Sequence, residues 1–80
     1  MKEKKREIKL KTVEIKILTL LAYGLNDTEI SKEIGKTCYQ TRTLIYRLEG
    51  KTGTVNRPHL IYWACKNGVL KTNELSDTSE

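Results

Sequence analysis

Residues 26–53 read NDTEISKEIGKTCYQTRTLIYRLEGKTG, and the fold turns on how this stretch is punctuated. Asn26 or Asp27 can cap a short helix, and Glu29 stands three residues after Asn26, the spacing of a capping box. Ile30 and Ile34 are four apart and turn inward. Ser31 is small enough for another helix to cross closely, and Gly35 stops the segment. Thr37 then opens a longer helix, with Gln40 three residues on as a second capping-box pair. Its apolar stripe is Leu44, Ile45 and Leu48, extended by Thr41 and Thr52, and Gly53 closes it. Gly50, inside the last turn, weakens that end by about 1 kcal/mol relative to alanine. Only Gly35, Lys36 and Thr37 separate the two helices. A helix, a three-residue turn containing glycine and a longer helix make a helix-turn-helix pattern.

The flanking sequence adds two more helices and no strand. From Thr12 to Tyr23, Val13, Ile17, Leu20 and Leu21 recur at helical spacing, and Gly24 ends the run. Asn56 can cap a last helix, with Pro58 in its first turn, where no intrahelical donor is lost. Leu60, Ile61, Ala64 and Cys65 form its inward face. Tyr62 and Trp63 either both pack at the core edge, or one faces outward onto a partner surface, where aromatics are enriched. Gly68 terminates this helix, and Val69 and Leu70 can fold back onto the core. The organisation expected is a basic N-terminal arm or helix extension at 1–9, one all-α domain at 10–70, and a disordered acidic tail at 71–80.

Size and composition bound the function. Eighty residues make a single small domain, which buries only roughly 60% of its unfolded surface, so a partner subunit would help it. With 38% apolar and 31% charged residues, the chain reads as an ordinary soluble protein. No apolar run approaches the roughly 18 residues that span a bilayer, and Met1 is followed by Lys-Glu-Lys-Lys-Arg-Glu rather than a signal-peptide core. A cytoplasmic, nucleoid-associated location without membrane contact is expected. Cys38 and Cys65 are too few for a disulfide scaffold and read as free thiols. Cys38, at a helix start, can have a lowered pKa. His59 lacks companions at zinc spacing and reads as a surface residue, so no metal or cofactor is expected. There is no nucleophile–base–acid set and no phosphate-cradling glycine loop, so the chain does not read as an enzyme.

Charge is unevenly placed within the net +5. Residues 1–11 carry six basic side chains against Glu3 and Glu7. That segment reads as a solubilising arm, a helical extension or an arm on DNA phosphates. Lys36, Arg42, Arg47 and Lys51 face only Glu49 across 36–51, while the last ten residues are net acidic. Basic clusters favour a polyanion through counterion release, although a solubilising surface has the same balance. With the inward stripe removed, the helix after Thr37 presents Tyr39, Arg42, Thr43, Tyr46 and Arg47, with no acid until Glu49. A merely solvated helix usually mixes glutamate with lysine. Arginine can grip guanine O6 and N7, threonine can set a methyl against thymine, and tyrosine can reach phosphate or a base edge. The helix N-terminus, where Thr37 and Gln40 stand with side-chain donors, suits a phosphate.

Over about residues 10–70, without a gap, the chain resembles the LuxR/GerE-type helix-turn-helix domain. Residues 17–25, ILTLLAYGL, look like the family's first helix and glycine turn, and 26–34, NDTEISKEI, like the segment with its Glu-Ile-Ala signature. Lys51-Thr52-Gly53 stands for Lys-Leu-Gly, Asn56-Arg57 for Asn-Arg, and Ala64 with Asn67-Gly68-Val69-Leu70 for the last helix and its exit. The resemblance implies a four-helix, stand-alone transcription regulator that binds double-stranded DNA. It implies a homodimer through helix 57–67, with Tyr62, Trp63 and Lys66 at the interface. By position Arg42, Thr43 and Tyr46 match base-facing residues in helix 38–53. Thr37, Gln40 and Lys51 match positions near phosphates, and Lys36, Tyr39 and Arg47 join that set. The alternative expectation is a protein-interaction antagonist or co-regulator that pairs with another LuxR-type regulator or contacts RNA polymerase.

The chain also departs from the family pattern. Lys11 stands at a capping threonine, which delays the first helix to Thr12, and Gly35-Lys36 replaces an apolar pair in the turn. Leu44 replaces a histidine, and Thr41 and Thr52 replace buried Val and Leu. Each threonine costs roughly 1–3 kcal/mol if its hydroxyl lacks a partner.

Overall fold

The computed structural model describes residues 8–70; positions 1–7 and 71–80, with most of the expected arm and all of the expected tail, lie outside the described residues. Four helices follow in order: α1 (Thr12–Ala22), α2 (Asp27–Ile34), α3 (Cys38–Thr52) and α4 (Arg57–Lys66). No strand occurs among the described residues, so the fold is all-α.

Each helix starts where its backbone donors find acceptors. Asn26 caps α2 by accepting from the Glu29 N–H, while the Glu29 carboxylate accepts from the Asn26 N–H, both at 2.9 Å. Thr37 and Gln40 repeat the exchange at the start of α3, at 3.0 Å each way. Asn56 caps α4 through the His59 N–H at 2.8 Å, with Pro58 in the first turn. At α1 only half the device exists. The Lys11 N–H donates to Glu14 at 2.8 Å, and a lysine ammonium has no acceptor to return the bond. Residues 8–11 are not helical, so a helical extension does not reach back through them. The chain leaves α2 and α3 through Gly35 and Gly53, both left-handed at φ of +71° and +75°, a conformation that favours glycine.

The core joins Ile17, Leu18 and Leu21 of α1, Ile30 of α2, Ile45 and Leu48 of α3, and Leu60 and Ala64 of α4. Leu70 folds back to complete it, and Val69 packs alongside. α1 packs against all three other helices. The inward face of α1 is rotated from the sequence expectation. Leu18 is fully buried, and Glu14 is buried with it, whereas Val13 and Leu20 are only half-buried. Ile34, Leu44, Ile61 and Cys65 likewise sit at the core margin rather than within it.

Thr41 and Thr52 do not carry the cost that unpartnered hydroxyls would bring. The Thr41 hydroxyl donates to the Thr37 carbonyl at 2.9 Å, and that of Thr52 donates to the Leu48 carbonyl at 2.8 Å. Each is satisfied one turn back along its own helix, so Thr41 can be wholly buried.

Gly50 lies in the exposed last turn of α3, with open space where a side chain would stand. Gly50→Ala should therefore raise the unfolding free energy by about 1 kcal/mol. Urea denaturation checks this, and a drop in stability would contradict a regular helix at that position.

Candidate nucleic-acid interface

Burial of Thr41, Ile45 and Leu48 at i, i+4 and i+7 fixes the rotation of α3 about its axis. The opposite side then carries Tyr39, Thr43, Tyr46 and Arg47. Tyr39 is 77% exposed and Tyr46 76%, unusual for residues whose rings gain so much from burial. Lys36, Tyr39, Gln40, Thr43, Leu44 and Arg47 line an open groove of about 250 Å³ along this face. No carboxylate occurs between Lys36 and Leu48.

The donors on this face divide into spent and available groups. Thr37 Oγ1 and Gln40 Oε1 are used as acceptors in the capping box. That leaves the Thr37 hydroxyl proton and the Gln40 amide to donate. The Thr43 hydroxyl donates to the Tyr39 carbonyl at 3.0 Å, so Thr43 can offer a ligand an acceptor and a methyl group. Lys36 and Arg47 are exposed.

Two of the residues expected to contact DNA, Lys51 and Arg42, are already engaged by acids. The Lys51 ammonium donates to both oxygens of Glu14, at 3.0 and 3.1 Å, and lies 3.5 Å from the Lys9 carbonyl. It ties the end of α3 to the start of α1 rather than standing free for a phosphate. Burial pushes the Glu14 carboxyl up, but the Lys11 N–H and the Lys51 ammonium outweigh it, so Glu14 titrates below the ordinary 4.5. Arg42 is also engaged: its Nε donates to Asp27 Oδ2 at 2.8 Å. Arg57 approaches the other oxygen of Asp27 at 2.6 Å, an ion-pair contact rather than an aligned hydrogen bond. For Asp27, too, burial opposes ionisation, while Arg42 and Arg57 prevail and hold the carboxyl below 3.8.

Glu14 lies three residues before Ile17 and four before Leu18, so its place on the apolar face was readable from spacing. The Asp27–Arg42 pair spans fifteen residues and two elements, and no local pattern announces it.

Cys38 is half-buried, with its sulfur 3.6 Å from the Thr28 hydroxyl and 3.7 Å from that of Ser31. Hydrogen bonding from Thr28, then from Ser31, holds the thiol below its ordinary value. Both cysteines are free, and His59 is exposed. On α4, Tyr62 is the aromatic that faces outward, with the Lys66 ammonium 5.8 Å from its ring centre. Trp63 is half-buried against the core. Among the described residues no helix is long and apolar enough to cross a membrane, and no group of three His, Cys, Asp or Glu side chains is placed to hold a metal.

Comparison with protein families, curated proteins and solved structures finds no match to this chain.

A group whose folded pKa lies below its unfolded value contributes stability that is complete above the unfolded value and disappears as pH falls through the folded one. The chain should hold its stability at neutral pH and lose it progressively below about pH 4.5, chiefly as Glu14 takes up its proton. Lys51→Met should be less stable at neutral pH, because Glu14 stays buried and unpaired. Its deficit should shrink in acid, where a protonated Glu14 no longer needs Lys51. Thermal melts of both proteins from pH 7 to 3 check this, and a deficit constant with pH would contradict the pairing.

Proposed function

We propose that this chain is a sequence-specific DNA-binding transcription regulator of the LuxR/GerE helix-turn-helix type, placing α3 in the major groove. The observation that carries the reading is the outward face of α3: a basic, hydroxyl-bearing and aromatic groove with no carboxylate among its lining residues. Fifteen residues of helix extend about 22 Å, and a helix with its side chains fits a groove about 12 Å wide. Lys36, with the Thr37 hydroxyl and Gln40 amide, suits a phosphate at the N-terminal end of the helix, and Arg47 suits one further along the groove. Arg42, Thr43 and Tyr46 suit base edges. Lys51 is left out of the phosphate set, because Glu14 already holds it.

Tyr62 supports α4 as the pairing surface of a homodimer. It is 60% exposed beside Lys66, and an exposed tyrosine combines a large apolar body with a polar tip, as interfaces favour. Trp63 supports the fold from beneath that surface rather than the contact itself. The same exposed tyrosine favours a second reading, in which α4 pairs with another regulator or with RNA polymerase and DNA is not required.

Selection of bound sequences from random duplex DNA at physiological salt should yield a defined site. The mass of its complex should show two copies of the chain. Affinity for that site should fall steeply with salt. Arg42→Ala should lose roughly 1–3 kcal/mol of discrimination among sites, whereas Lys36→Ala should weaken all duplexes alike and reduce the salt slope by about 1. Failure to enrich any sequence, with salt-independent or absent binding, would overturn the proposal.

A further inference from the structure

The geometry points to Asp27 as a positioning residue that turns Arg42 into a reader of guanine and keeps it off the DNA backbone; this rests on the DNA-binding reading above. Asp27 is the first residue of α2, and its carboxylate spans two helices. One oxygen accepts from Arg42 Nε on α3 at 2.8 Å, and the other pairs with Arg57 at the start of α4 at 2.6 Å.

The pair contributes little as a stabiliser. The Arg42 side chain is 63% exposed, and ion pairs this open to water add little to folding. Its effect is geometric. A guanidinium can grip a ligand along its Nε–Nη side or across its two terminal nitrogens. Asp27 takes the Nε position, so the side-on grip is closed and the end-on pair stays open. That pair can bond guanine O6 and N7 together. Holding the chain in one conformation beforehand also removes part of the ordering cost of binding.

Charge selects against the other ligand. A phosphate seated on Arg42 would meet a charge already shared with the Asp27 carboxylate, so it gains less attraction there than at Lys36 or Arg47. A guanine edge carries no net charge and depends less on that attraction. Lys36 and Arg47 have no acid beside them in the groove, so they remain the groups suited to phosphate. Arg57 completes the arrangement, because a carboxylate shared by two guanidiniums stays ionised although it is only 18% exposed.

Two measurements test this. In the first, Asp27→Asn and Arg42→Ala are titrated against the selected duplex and against versions with each G·C pair changed to A·T. Both variants should lose preference at the same G·C pair, by roughly ten-fold. Asp27→Asn should at the same time bind random duplex more tightly than the original chain, since a negative charge has gone. A purely structural role for Asp27 would weaken every duplex equally, and that result, or an unchanged preference, would overturn the inference. The second uses the unaltered protein, so it does not depend on a variant folding. The ¹⁵N-detected Arg42 Nε–H signal should be protected from exchange in the free protein and stay protected on the selected duplex. Loss of that protection on binding would show that the pair breaks, and would also overturn the inference. An unaltered chain that prefers no duplex would instead remove the DNA-binding reading, and this inference with it.

Discussion

Thr41, Ile45 and Leu48 pin α3 to the core, and this anchoring determines what the helix can present to anything else. A helix turns 100° per residue, so burying those three positions leaves Tyr39, Thr43, Tyr46 and Arg47 no inward option. Two of the inner positions of α3, Thr41 and Thr52, are hydroxyl-bearing, and each returns its proton to its own helix. The inner side of α3 is thus satisfied by its own backbone and by the apolar core. Its outer side carries the basic and aromatic groups for which the fold itself has little use.

The basic residues around α3 divide by their neighbours. Lys51 is bound to a buried glutamate and belongs to the architecture, closing α3 against α1. Lys36 and Arg47 lie in the groove with no acid beside them. Arg42 stands between these cases, exposed at its tip and held at its Nε by Asp27. A count of positive charges treats the four alike. Only the positions of Glu14 and Asp27 separate a lysine that holds the fold from an arginine presented to a ligand.

Much of this was legible in the sequence, because the deciding signals are local. Capping boxes at Asn26 and Thr37, Asn56 with Pro58, and glycines at 35 and 53 placed the helix ends to within a residue. The Tyr39–Arg47 face followed from the apolar period alone. What escaped was non-local. Glu14 stands at apolar spacing from Ile17 and Leu18, but the partner that lets it be buried there, Lys51, lies 37 residues away. Asp27 was read only as a possible cap, since nothing near it in sequence announces Arg42 or Arg57. The aromatics of α4 are adjacent in sequence, and three-dimensional packing was needed to turn Tyr62 out and Trp63 in.

The central claim is that the outward face of α3 is the surface that meets DNA. An ¹H–¹⁵N NMR titration of the full chain with a short duplex carrying its selected site tests it most directly. The largest shifts should fall on Lys36, Tyr39, Arg42, Thr43, Tyr46 and Arg47, with Glu14 and Lys51 little changed. Shifts centred instead on Tyr62 and Lys66, or none at saturating duplex, would contradict it.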